Sequence, residues 1–464
     1  MQVTDAWARL GEAGCGRGAG VTLALIDGGI DPAHPDLAAN LRADLSFDYA
    51  DLSASNRTHG TAVAGILAAV SDNGLGGTGI APEAQLISYG IAFGTSRAGT
   101  DVVDALTRNL DRIDVYHNSW SSPDRAGALQ KATSGFASAI ERGLANGRAG
   151  RGALYVFAAG NGGVNGELST YDGYLNHRGV IVACAVDHTG KRPKWAERGA
   201  NLWVCGPSGP ADDSAPVPSS AITTTAPEAA YDDHFDGSSA SAPMVSGTAA
   251  LILAANRDLS ARDVRLILAH SARRNDADDI EWSPAAASGG RPYNPNYGFG
   301  VVDANAAVQL ARTWQSVGDD RQIKRCEASA GRPFTQTPGW PIAIPDGSNA
   351  GIVSPLSIEG AHCAIERIEH VEVRLSLTHD YPGDVTIKLT SPSGSSSTLA
   401  LARDCGKRNS PVAPDCGEYD VNWPIAVTRH LDEMALGTWQ LSVTDPVVGK
   451  AGSLEGWSLR IWGR

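Results

Sequence analysis

Three runs, Val21–Ile26, Ala153–Ala158 and Gly179–Ala185, read as unbroken apolar stretches bounded by turn residues. A strand with one face in water alternates polar and apolar side chains, so a run without alternation is covered on both faces. The first part of the chain is therefore expected to build a mostly parallel sheet clothed by helices. Two stretches rich in Gly, Ala and Ser, His59–Ala69 and Ser239–Leu253, suit helices whose backbones approach such a sheet closely. Beyond about residue 320 the period changes. Val371–Leu377, Val385–Leu389, Trp439–Val443 and Trp457–Ile461 alternate with period two, and turn pairs such as Ser393-Gly394 lie between them. That pattern predicts antiparallel strands and a β-sandwich. The expected organisation is an α/β domain over 1–315, a polar linker over 316–325 and an all-β sandwich over 326–464.

Composition narrows the function. No apolar run is long enough to cross a bilayer, so no membrane span is expected. Lys and Arg number 38 against 51 Asp and Glu, a formal charge of -13 that repels phosphate backbones and excludes nucleic acid as an expected partner. The 53 Gly and 25 Pro imply long surface loops of the kind secreted enzymes carry. Seven Cys lack the CxxC spacing of a zinc site and cluster late in the chain. Disulfides Cys405–Cys416 and Cys326–Cys363 are expected, with Cys15 left over. Cys184 and Cys205 either bridge two neighbouring strands or stay as buried thiols. The first residues lack the charged start and apolar stretch of a secretory signal, so a signal is expected to be absent from this chain.

Asp27 closes an apolar run, His59 follows a polar loop and Ser239 stands at a Gly-Ser-Ser turn before a helical stretch. Taken singly, each is more often a cap or turn former. Ligands gather at the carboxyl ends of strands in an open α/β sheet, so the three can converge. Their flanks are Leu25-Ile-Asp27-Gly-Gly-Ile30, Thr58-His59-Gly-Thr-Ala-Val-Ala-Gly65 and Gly237-Ser-Ser239-Ala-Ser-Ala-Pro243. These blocks, and their Asp, His, Ser order, closely resemble the signature of the subtilisin-like serine proteases. Asn296-Tyr-Gly-Phe-Gly-Val-Val-Asp303 extends the likeness, and Ser238 departs from it by replacing a usual Thr. The resemblance implies a subtilisin-like α/β fold with Ser239 as nucleophile, His59 as base and Asp27 as its partner. It also implies that Asn161, in Phe157-Ala-Ala-Gly-Asn161, donates to the oxyanion.

The second half resembles the P domain of kexin and furin-type convertases, a jelly-roll-like sandwich, through His379-Asp-Tyr-Pro-Gly-Asp384, Gly437–Asp445 and Gly456-Trp-Ser-Leu459. An unrelated carbohydrate-binding sandwich is the alternative. The convertase likeness implies a protease that cuts polypeptides after basic residues, Arg over Lys. It places Asp124 of Asn118-Ser119-Trp120-Ser-Ser-Pro-Asp124 and Asp172 of Tyr171-Asp172-Gly-Tyr174 in the first specificity pocket, and Asp104 toward the P4 residue. A surface helix charge is an equal reading of Asp104. Two further family acids are replaced by Gly28 and Asn56, which puts a basic P2 preference in doubt.

Calcium is the cofactor the resemblance implies. Asp36 and Asn73 side chains with the Val70, Leu75 and Gly77 carbonyls match a first site that lacks one family ligand, and Asp124, Glu167 and Glu197 match a second. Ordinary turn and surface roles are the alternatives. The family also implies a propeptide or chaperone for folding and a secreted or periplasmic protein. Rival functions are a broad-specificity degradative subtilase and a non-catalytic binding protein on a relic protease fold.

Overall fold

The apolar runs become strands of one sheet in a computed structural model that describes residues 1–123, 127–210, 221–284, 289–405, 416–420 and 423–464. In chain order these elements are α1 (Val3–Glu12), β1 (Thr22–Asp27), β2 (Phe47–Asp48), α2 (Ala54–Ala68), β3 (Gln85–Gly90), α3 (Ala98–Ala105), β4 (Val115–Asn118), α4 (Phe136–Asn146), β5 (Leu154–Ala158), β6 (Val180–Val186) and β7 (Leu202–Pro207). The sheet runs β2-β3-β1-β4-β5-β6-β7 and every pairing is parallel. β1, β5 and β6 are buried at every residue, which accounts for their lack of alternation. The chain fills the sheet on one side of β1 before β4 pairs on the other, so β1 is the switch point. A crevice opens beyond its carboxyl end, where Asp27 stands.

A hairpin of β8 (Ile222–Ala226) and β9 (Ala230–Phe235) leads into α5 (Ser238–Ala255), followed by α6 (Ala261–Ser271) and α7 (Ala304–Thr313). Among the described residues α5 is the one helix long and apolar enough to cross a membrane, yet it is buried inside the fold, as the core helix of an α/β layer must be. The helix carrying His59 starts earlier than the sequence suggested. Ser53 accepts from the Asn56 N–H and Asn56 returns a bond to the Ser53 N–H, a capping box that begins α2 at Ala54. His59 therefore sits more than one turn inside the helix.

The second half forms β10 (Lys324–Gly331), β11 (Ile342–Ile344), β12 (Ser348–Ile358), β13 (Ile368–His379), β14 (Thr386–Thr390), β15 (Ser396–Ala400), β16 (Pro424–Val427), β17 (Gly437–Asp445) and β18 (Gly452–Gly463). One sheet is ordered β10-β18-β13-β16 with β11 added to β18, the other β12-β17-β14-β15, and all pairings are antiparallel. Val373, Leu375, Trp439, Leu441, Trp457 and Leu459 share one buried core. Each such side chain contributes roughly 1.5–3 kcal/mol over its exposed state. Leu168, Tyr171 and Ala200 from the first half join that core. The stretch between the halves is also packed down: the Trp314 Nε1–H and Val317 N–H donate to Asp263 Oδ1 of α6 at 2.9 and 2.8 Å.

Three disulfides form. Cys184–Cys205 joins the neighbouring strands β6 and β7, Cys326–Cys363 and Cys405–Cys416 lie in the second half, and Cys15 is free.

Candidate active site

β1 ends in Asp27, which is buried, and its carboxylate accepts the Gly28 N–H at 2.7 Å. The next turn of chain passes so close to α2 that a Cβ on Gly28 would lie 2.2 Å from the Asn56 carbonyl oxygen. That contact explains why no acid stands at 28, and the capping role of Asn56 explains the amide there. His59 reaches back from α2 and sets Nδ1 at 2.8 and 2.9 Å from the two Asp27 oxygens. Burial disfavours the imidazolium, but the charge of Asp27 and its hydrogen bond outweigh that and raise the His59 pKa above the ordinary imidazole value. The ring edge rests on Phe235, at a centroid distance of 5.6 Å.

Ser239 lies in the first turn of α5, where backbone N–H groups have no intrahelical acceptor. Its hydroxyl donates to the Ser119 carbonyl at 3.1 Å, and the Ser119 hydroxyl donates to the Ser239 carbonyl at 3.0 Å. The Ser239 hydroxyl makes no hydrogen bond to His59 in this state.

Beneath Ser119, His117 is buried, with Nε2 2.8 Å from Ser119 Oγ and Nδ1 2.8 Å from Ser246 Oγ. Burial, then the neighbouring His59, pushes the His117 pKa down to about 3, so this ring stays neutral. Sequence reading missed it. The signal was the period of two, which puts His117 and Ser119 on one face of the β4 extension.

Asn161 follows β5. Its Oδ1 accepts the Ser238 N–H and the Ser238 hydroxyl, each at 2.8 Å, leaving Nδ2 as the donor of that side chain. Ser238 Oγ in turn accepts the Gly160 N–H at 3.2 Å. The hydroxyl shared by Ser and Thr at 238 is thus what orients the amide.

The segment after β4 borders a cavity of about 640 Å³ lined by Phe93, Trp120, Ser122, Leu129, Lys131 and Tyr174 among others. Trp120 is fixed by its Nε1–H on the Ile26 carbonyl at 3.0 Å and by edge contacts with Phe157 and Tyr174. Asp172 is buried and accepts the Ser122 N–H at 2.7 Å and the Tyr174 N–H at 2.8 Å. Burial raises its pKa to about 6 despite those two bonds. Asp124 lies outside the described residues. Neither Asp104 nor Asp172 is itself among the residues lining the cavity; Asp172 meets it through Ser122 and Tyr174, whereas Asp104 takes the Tyr49 hydroxyl at 2.5 Å and the Arg108 guanidinium at 2.9 Å.

The two expected cation sites differ. Glu167 and Glu197 are buried carboxylates on neighbouring loops, accepting the Gly127 and Gly162 N–H groups at 2.8 and 3.1 Å. Buried hard-oxygen donors of this kind fit calcium. Asp36 is already satisfied by protein donors: Asn73 Nδ2–H reaches one oxygen at 2.6 Å and the Tyr231 hydroxyl the other at 2.9 Å. Asn73 Oδ1 accepts the Leu75 N–H at 3.0 Å. Gly76, at a φ of 41°, leaves the space for Tyr231, since a Cβ there would lie 2.0 Å from its ring. In this arrangement an amide N–H and a phenol hydroxyl take the two Asp36 oxygens at the mouth of the loop carrying Val70, Leu75 and Gly77.

Comparison with known proteins places these features. The subtilase family model matches residues 18–300 and the proprotein convertase P-domain model residues 368–461. The chain is 32% identical over 457 residues to the dibasic-processing endoprotease of Schizosaccharomyces pombe, covering 96% of this chain and 61% of that protein. It is 31% identical to human proprotein convertase subtilisin/kexin type 4 (96% and 57%) and 30% identical to kexin of Saccharomyces cerevisiae (96% and 52%). It thus spans less than two thirds of the length of each of these relatives. Among solved structures, the serine protease of Aeromonas sobria in complex with its chaperone superposes with a TM-score of 0.81 at 25% identity, covering 96% of this chain and 88% of that one.

Proposed function

The chain belongs to the subtilase family and carries a proprotein convertase P-domain behind it, and from that premise we propose that it is a serine endopeptidase cutting polypeptides after basic residues, Arg before Lys. The observation that carries the reading is the Asp27 carboxylate held against His59 Nδ1, in a chain whose Ser239 stands in the first turn of a buried helix. In this mechanism the Ser239 hydroxyl turns to His59 and gives its proton to Nε2 as Oγ attacks the substrate carbonyl. Asp27 fixes the ring and stabilises the imidazolium. Charge moves to the carbonyl oxygen, where Asn161 Nδ2–H and the Ser239 N–H donate. Loss of one such donor costs roughly 10²–10³ in rate. Collapse breaks the C–N bond as His59 protonates the leaving amine. Water, deprotonated by the same ring, then hydrolyses the acyl ester and frees Ser239.

Specificity rests on Asp172, with Asp124 as its partner by resemblance. A buried carboxylate whose ionisation is disfavoured gains most when a guanidinium enters and pairs with it. The edge of Ser119 and Trp120 offers backbone to an extended substrate. The names of several relatives refer to dibasic or proprotein processing, and we carry over the P1 half of that preference. Gly28 and Asn56 supply no charge for a basic P2, so discrimination there is expected to be weak.

Calcium held by Glu167, Glu197 and Asp124 would offset repulsion among acids beside the pocket. Three disulfides suit an oxidising compartment, secreted or periplasmic. The chaperone bound to the Aeromonas sobria neighbour supports a propeptide or chaperone partner here. The boundaries 1–315, 316–325 and 326–464 remain our division of the chain, with the sandwich's first strand starting just inside the linker.

Kinetics on matched peptides with Arg, Lys or Leu at P1, repeated on Asp172→Asn, test the reading. Wild type should prefer Arg, and the variant should lose about 10- to 100-fold of that preference, the worth of a charge-assisted hydrogen bond. Equal rates on Arg and Leu in the wild type would favour the broad-specificity alternative.

A further inference from the structure

Where α6 meets β13 of the sandwich, a small cavity of about 30 Å³ is lined by Arg178, Arg262, Arg265, Asp320, Glu369 and His370, with Trp203 and aliphatic side chains completing the wall. Two of the three arginines are fully matched. Arg262 forms a two-pronged pair with Glu369, at 2.9 and 2.5 Å, and donates to the Val317 and Asp319 carbonyls. Arg178 is shared between Glu141 and Asp320, the latter at 2.5 and 2.9 Å. Both carboxylates that line the cavity are thereby engaged.

Arg265 is the exception. It is buried, lies over the Trp203 ring at 4.5 Å and gives one bond to the Arg178 carbonyl, but no carboxylate lies within ion-pair distance of it among the described residues. His370, 4% exposed, lines the same cavity, and neither ring nitrogen has a hydrogen-bond partner. Burial, reinforced by the positive charge of Arg265, keeps its ring neutral, with one N–H to donate. An unsatisfied buried imidazole is costly, and the Arg265 guanidinium, which has no ion-pair partner, lines the same cavity as His370. A single occupant would serve both.

We propose that this cavity is a binding site for one small monovalent anion of the halide class, chloride in a physiological medium, held by Arg265 and the His370 N–H. The volume admits a monatomic ion or one or two waters. The anion supplies the one guanidinium without an ion-pair partner with a counter-ion in contact, and ties α6 of the first half to β13 of the second. Docking of the sandwich then depends on which anion is present, and not only on ionic strength.

Thermal unfolding of the full chain in sodium chloride and in sodium methanesulfonate, at matched ionic strength and pH 7, tests this. Chloride should raise the midpoint saturably by about 2 °C, and bromide should do the same. Arg265→Gln should abolish the difference, whereas Arg112→Gln, on the exposed surface, should keep it. Should Arg265→Gln fail to fold, crystals of the wild type grown in bromide decide: an anomalous peak between Arg265 and His370 supports the site. Equal midpoints in the two salts, or ordered water without anomalous signal in the cavity, overturn it.

Discussion

Asp27 and Asp36 are both buried, nine residues apart on the same excursion from β1, yet their surroundings give them opposite tasks. Asp36 meets an amide and a phenol, neither of which changes charge near neutral pH. Asp27 meets an imidazole that does. Position in the fold makes the difference. The end of the switch-point strand faces the crevice, whereas Asp36 is closed over by the β8–β9 hairpin. Of these two acids, one has donors that keep their charge state and the other a partner that can exchange a proton.

The largest break in that contrast is Asp27→Asn. Asn keeps the shape and removes the charge, so kcat should fall by roughly 10⁴ while unfolding by urea changes little. Folding lost along with activity would instead make Asp27 a structural acid like Asp36.

The second prediction concerns pH. His59 has a raised pKa, so the acid limb of kcat/KM, which requires neutral imidazole, should fall above the ordinary imidazole value of about 6.5. From the role proposed for Asp172, a further limb is expected with basic substrates alone. Its folded pKa is raised to about 6, so the folded state holds the proton more tightly than the unfolded chain, and this group's contribution to stability falls as pH rises from about 4 to about 6. Pairing with a P1 guanidinium requires the ionised form. The Arg-over-Leu ratio should therefore shrink as pH drops through about 6, and a ratio that stays constant from pH 8 to pH 5 would exclude Asp172 from the pocket.

The smallest expected effect is on stability. Tyr231→Phe removes the hydroxyl on Asp36 and should lower the unfolding free energy by about 1.5–3 kcal/mol. The loss should be the same with and without a calcium chelator. A loss seen only after chelation would mean that a cation holds the loop.

Much of this was legible in the chain. Unalternating runs became buried parallel strands and period-two runs became the sandwich, because burial on one face or two writes directly into the pattern. Less local features were not. The start of α2 escaped because its cap, Ser53 with Asn56, is polar and looks like loop. Whether Cys184 and Cys205 bridge depends on strand adjacency and register, which no spacing of 21 residues reveals. The Tyr231 contact with Asp36 joins residues 195 apart and is decided by where the hairpin lands. At the site, Asp27 and His59 were readable as a pair from their flanking blocks, whereas the service of Ser238 to Asn161 and of His117 to Ser119 emerges only from the packing.

The most direct test of the account is covalent labelling of the folded chain by a fluorophosphonate, with the modified residue located by mass spectrometry. Ser239 should carry the label in the wild type and none should form in His59→Ala. A well-folded wild type that takes no label, or equal labelling when His59 is removed, would contradict it.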